Sequence, residues 1–103
     1  MEIGLFQLES LFLTPSRHVF LDLRPQRTGV HPDIDKLLAS ATHVLPEEVE
    51  KHLESGAVAK DFPVLLVSED GTVASTVAHK LESAGYSNVY IVAGGVTGLL
   101  SEL

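Results

Sequence analysis

The run Val64-Leu65-Leu66-Val67 limits what this chain can fold into more than any other stretch. Consecutive aliphatic residues without alternation fit a strand covered on both faces, as in the centre of a parallel sheet with helices on either side. The turn Lys60-Asp61-Phe62-Pro63 precedes it, and the loop Ser68-Glu69-Asp70-Gly71 follows. From about Thr72 to Ala84 the spacing of Val73, Val77, Leu81 and Ala84 predicts a helix with one apolar side, closed by Gly85 at C′. A buried strand that passes through a short loop to a helix N-terminus is a natural place for catalysis or anion binding, because backbone N–H groups converge there. This loop, however, is acidic and holds no cysteine.

Helices and strands alternate along the rest of the chain. Leu8, Leu11 and Phe12 predict a helix over Gln7 to Leu13 that stops before Pro15, and His18 to Leu23 reads as a strand apolar on both faces. Arg24 to Ala41 is a long connection broken by Pro25, Gly29 and Pro32, with a short helix over Asp33 to Leu38 in which Ile34, Leu37 and Leu38 share a face. After a brief strand at His43 to Leu45, Pro46 suits a first helical position, and Glu47 and Glu48 complement the helix dipole. Val49 and Leu53 face the core, and Gly56 closes this helix. Ser87 to Val92 is a strand, Gly94-Gly95 a turn that permits positive φ, and Val96 to Leu103 a last helix offering Val96, Leu99 and Leu100 for packing. The pattern implies one small three-layer α/β domain over residues 1–103, with a mainly parallel central sheet flanked by helices.

Composition removes several function classes. A formal charge of −7, from 7 basic and 14 acidic residues, argues against nucleic acid and anionic membranes as partners. No apolar run approaches a membrane span and no signal sequence opens the chain, so a cytoplasmic location is expected. Without cysteine there is no disulfide, thiolate zinc site, iron–sulfur cluster or thiol nucleophile. No His-x-x-His or carboxylate cluster has metal-ligand spacing, and neither metal nor cofactor is expected. His79 is expected in solvent and His43 partly buried; Tyr86 and Tyr90 are expected to pack with their polar tips at the surface.

Three pieces together resemble the rhodanese-like family: the strand ending Asp22-Leu23-Arg24, the strand-loop-helix around Ser68, and Gly85-Tyr86-Ser87-Asn88-Val89-Tyr90-Ile91-Val92-Ala93-Gly94-Gly95-Val96. The last piece is the most specific, since members typically show a glycine-aromatic-x-Asn-Val-Tyr strand followed by a Gly-Gly turn. The resemblance spans nearly the whole chain, while the Arg24 to Ala41 connection is longer than usual and lacks the common Gly-His-Ile-Pro-Gly-Ala run. It implies that Ser68 stands where active members carry a persulfide on cysteine, Glu69 and Val73 stand where arginines are frequent, and Gly71 matches the loop glycine. Asp70 and Thr72 complete the degenerate loop, with Asp22 and Arg24 nearby. In the related phosphatases a cysteine and an arginine clamp phosphate; their places here are Ser68 and Ala74. The loop thus departs from the pattern at several positions together.

A hydroxyl cannot store sulfane sulfur as a persulfide and is a weaker nucleophile than a thiol. Electrostatics point the same way on sequence grounds. A helix N-terminus attracts an anion by about 0.3–2 kcal/mol, whereas a carboxylate about 4 Å away repels it by about 4 kcal/mol at an effective dielectric of about 20. The acidic loop is therefore expected to raise the pKa of a Ser68→Cys thiol and leave at most feeble sulfur transfer. The plain structural role of Ser68, Glu69 and Asp70 is to cap a helix, and that of Asp22 and Arg24 is a local ion pair. The expected function is an inactive rhodanese-like domain that binds another protein or self-associates as a regulatory module. The alternative is an accessory that positions a partner's persulfide cysteine. Weaker still is a serine hydrolase at Ser68, since Gly-x-Ser-x-Gly is absent and no spacing ties a histidine to it.

Overall fold

The computed structural model describes residues 1–13, 17–26 and 28–103. Its elements in order are β1 (Glu2–Ile3), α1 (Leu5–Leu13), β2 (Val19–Asp22), α2 (Pro32–Leu38), β3 (Thr42–His43), a 3-10 helix (Pro46–Glu48), α3 (Val49–Ser55), β4 (Val64–Val67), α4 (Thr72–Ser83), β5 (Val89–Val92) and α5 (Gly95–Ser101). Among the described residues five strands form one sheet in the order β1-β5-β4-β2-β3, and each neighbouring pair is parallel. Pro15, expected to stop the first helix, lies outside the described residues. Among those residues no helix is long and apolar enough to cross a membrane.

All residues of β4 are buried, and successive side chains serve opposite layers. Val64 and Leu66 pack with Leu21, Leu53, Val77 and Leu81 beneath α3 and α4. Leu65 and Val67 pack with Leu8, Phe20, Ile34, Val96 and Leu99 beneath α1, α2 and α5. Registers Val64↔Val19 and Val64↔Val89 set β4 squarely between β2 and β5. The chain is thus a three-layer α/β domain, as the aliphatic run predicts.

The glycine-tyrosine-x-asparagine segment has a local physical basis. Gly85, at φ 98°, ends α4, and Tyr86 N and Gly85 N donate to Leu81 O and Glu82 O at 3.0 Å each, the Schellman arrangement. Tyr86 is buried, with Lys60 Nζ 4.0 Å from its ring centre, and Asn88 Nδ2 donates to Asp61 O at 3.3 Å. One motif therefore closes α4 and ties the turn before β4 to the strand that follows α4.

Several sequence expectations need correction. Pro46 opens a 3-10 turn, and the α-helix starts only at Val49. Gly56 has φ −84°; the left-handed residue is Ala57, at φ 53°, one place further on in a second Schellman closure with Val58 N on Leu53 O. On α4 the buried stripe is Ala74, Val77, Ala78 and Leu81, which turns Val73 outward at 41% exposure. On α5 Val96 and Leu99 are buried but Leu100 is exposed. Tyr86 is buried rather than tipped to the surface, and His43 is exposed. Sequence periodicity missed β1, which completes the sheet edge beside β5, and the His31 cap of α2, whose Nδ1 accepts from Asp33 N at 3.2 Å.

Ala57 carries the steric cost of a left-handed conformation, about 1–2 kcal/mol, part of which a glycine returns as unfolded-state freedom. Ala57→Gly should therefore stabilise the domain by about 0.5–1 kcal/mol, read as a higher urea midpoint at unchanged slope. A neutral or lower midpoint would contradict this geometry.

Candidate active-site loop

The last peptide of β4 delivers Ser68 into a loop that is folded on itself. The Ser68 side chain is 2% exposed, and its Oγ accepts from Gly71 N at 3.1 Å and from Ala74 N at 3.2 Å. Gly71, at φ 92°, makes the turn that brings the α4 amides back over Ser68. Asp70 Oδ1 accepts from Thr72 N at 3.0 Å, and Glu69 and Asp70 are both exposed. The Gly71, Thr72 and Ala74 amides at the helix N-terminus are thereby engaged by the chain's own side chains.

A second layer holds the loop from behind. Val96 N and Thr97 N donate to Ser68 O and Glu69 O at 2.9 Å each. This approach requires Gly95, where a Cβ would stand 2.2 Å from Ser68 O and 2.8 Å from Asp70 N. The sequence marked Gly94-Gly95 as a turn with positive φ, and both glycines have it, at 69° and 60°. What the sequence did not reveal is that this turn is the wall of the Ser68 loop, because the contact joins segments distant along the chain.

Asp22 and Arg24 lie at the end of the neighbouring strand, where Leu23 N donates to Val67 O at 2.8 Å. Asp22 Oδ1 accepts from Arg24 N and Nε at 3.1 and 3.0 Å, and its Oδ2 from Nη2 at 2.8 Å. Both side chains are buried, and Arg24 Nη1 reaches Thr28 O at 3.0 Å. The hydrogen bond to Asp22 raises the Arg24 pKa further, aided by the charges of Asp22, Glu69 and Asp35. Arg24 O meets His43 Nε2. The pair therefore stitches β2, the long connection and β3 together.

The geometry separates the backbone amides from the side-chain charges. Two amides aim directly at Ser68 Oγ, while the Glu69 and Asp70 carboxylates stand in solvent, where water screens them. Asp70 is further committed to Thr72, whose backbone N–H, followed by its side chain, holds the Asp70 carboxyl below the usual carboxylate range. The two amides thus act on Ser68 Oγ by direct contact, whereas the carboxylates act through solvent. No histidine bonds Ser68 among the described residues: His31 caps α2, His43 meets Arg24 O, and His79 lies in solvent beside Glu82.

Residues 8–102 match the model of the rhodanese-like domain. This chain belongs to the rhodanese-like domain family. A rhodanese homologue from Thermus thermophilus matches 96% of this chain and 100% of its own, at 25% identity and a TM-score of 0.68. A rhodanese-like domain protein from Staphylococcus aureus matches 95% of this chain and 89% of its own, at 20% identity and a TM-score of 0.73. A thiosulfate sulfurtransferase from Pseudomonas aeruginosa gives 0.77 at 19% identity, covering 98% of this chain but 18% of that one. The latter two likenesses are of fold. A comparison with curated proteins finds no match.

Two predictions follow from the self-capped loop of this rhodanese-like domain. Ser68→Ala leaves the Gly71 and Ala74 amides without their acceptor and should cost about 1–3 kcal/mol in urea unfolding. Exposed Ser83→Ala should stay within about 0.5 kcal/mol, and equal losses for both would refute the role of the hydroxyl. For Asp70 the folded-state pKa is depressed, so its contribution is full above the ordinary value of ~3.9 and disappears as pH falls through the lower folded value. Wild type should melt above Asp70→Asn near neutral pH, and the gap should close in acid; a gap constant down to about pH 2 would contradict the cap.

Proposed function

We propose that this rhodanese-like domain carries no sulfur of its own and acts as a protein-binding or regulatory module. One observation supports the reading: Ser68 Oγ, which we take to stand at the family's nucleophile position, is a buried hydroxyl held by two backbone amides. A persulfide needs a sulfur at that atom, and the chain contains no cysteine. Hydrolysis at Ser68 lacks support, because the hydroxyl meets amides rather than a base.

A second reading keeps the domain in sulfur handling, where it positions a persulfide cysteine of a partner. Its support is that the same fold forms 15% of a NAD-dependent persulfide reductase from A. fulgidus, at 21% identity and a TM-score of 0.62. There the fold is one part of a larger chain. In both readings the surface around the loop recognises protein.

Purified domain should transfer no sulfur from thiosulfate to cyanide above a no-enzyme control; turnover would overturn the proposal. The loop frame itself is tested by Ser68→Cys. The amides and the α4 N-terminus should hold that thiol below its ordinary ~8.5, the reverse of the sign expected from the acidic sequence alone. A thiol titrating at or above that value would show that Glu69, Asp70 and burial dominate.

A further inference from the structure

Beside the Ser68 loop a groove of about 290 Å³ runs between the 3-10 turn and α4. Pro46 and Glu47 form one wall, and Thr72, Val73 and Thr76 the other, with Lys80 at its far end. Thr72 and Lys80 are separated by about 12 Å along the helix. Val73 is 41% exposed, and Leu45, next to the Pro46 wall, is 40% exposed. Val73 within the groove and Leu45 next to it thus offer aliphatic surface to solvent, at the mouth of a loop in which Ser68 and Asp70 engage the Gly71, Thr72 and Ala74 amides.

Its loop end is acidic: the Asp70 carboxylate sits on the amide of lining Thr72, Glu69 is adjacent in the chain, and Glu47 is among the lining residues. The nearest guanidinium described, Arg24, is buried against Asp22 and does not offset these charges at the surface. Among the described residues Lys80 is the one cation that lines the groove, at the opposite end. The chain as a whole carries −7.

We propose that this groove is the docking site for a segment of a partner protein in which aliphatic side chains follow lysine or arginine. The aliphatic residues cover Val73 and Leu45, and the basic residues face Glu47, Asp70 and Glu69. The net charge of −7 on each chain disfavours a second copy as the occupant. This inference rests on the binding-module reading and names the chemistry of its partner.

Three acetylated, amidated hexapeptides test it against the whole chain by two-dimensional amide NMR: KRLLGG, EELLGG and KRGGGG. KRLLGG should shift the amides of Glu47, Val73 and Thr76 and bind at least about tenfold more tightly than either control, about 1.4 kcal/mol. Val73→Lys, at an exposed position, should keep the remaining spectrum and weaken KRLLGG about tenfold. Equal binding of KRGGGG, shifts centred elsewhere, an unaffected Val73→Lys, or no binding at millimolar peptide would each overturn the proposal. Such a failure with sulfur transfer still absent leaves the inactive-module reading intact, whereas turnover with thiosulfate removes that reading whatever the peptides do.

Discussion

Val64 to Val67 are excluded from water on both faces of the sheet, and most of the architecture follows from keeping them dry. A strand buried on both faces needs helices above and below it, and parallel neighbours need crossovers long enough to supply those helices. The crossover from β4 to β5 supplies α4, and the connection from β2 supplies α2. The same burial sets where chemistry could occur. The backbone leaves the dry layer at Ser68, and the N-terminus of α4 opens immediately beyond it.

The loop at that exit is stabilised from two directions, and the directions are not equivalent. Ser68 Oγ gathers amides from in front, each bond contributing about 1 kcal/mol net but costing more if its buried donor is left unmade. From behind, α5 reaches the carbonyls of Ser68 and Glu69 through a contact that tolerates no side chain at Gly95. Backbone-to-backbone contact is the more rigid constraint, because a Cβ at Gly95 would meet main chain that cannot rotate away. The frame therefore rests on the Gly95 contact as well as on the side chain at position 68. A serine fills it as a cap; a thiol would meet the same amides.

Much of this was legible in the sequence where the signal was local. The unbroken Val64-Leu65-Leu66-Val67 run announced a central parallel strand, and Gly85 marked the end of α4 because a left-handed C′ residue has few alternatives. Signals failed where one residue of phase or a distant contact decided the outcome. Val73 fits the same helical repeat as Val77, yet the stripe that packs begins at Ala74. Gly56 looked like the helix stop, but the Schellman geometry places the left-handed residue at Ala57. The partnership of Gly95 with Ser68 spans α4 and β5, so no window of sequence contains it. Charge was the hardest to read: the letters of Glu69 and Asp70 give sign but not direction, and Asp70 turns back onto Thr72.

That difference between sign and direction governs how the loop meets another molecule. The amides act on the buried side at Ser68 Oγ, whereas the carboxylates act outward. Arg24 might have neutralised them, being close enough for Glu69 to raise its pKa, but its guanidinium is turned to Asp22 and Thr28 and is buried. Moving it to the surface would break a buried ion pair, a loss on the order of 3–5 kcal/mol, far more than an exposed pair with Glu69 returns. The positive charge thus remains inside, joining strand ends, and the surface beside Val73 keeps its negative sign. A fold shared with part of a thiosulfate sulfurtransferase here consequently has acidic and aliphatic side chains at the mouth of its loop.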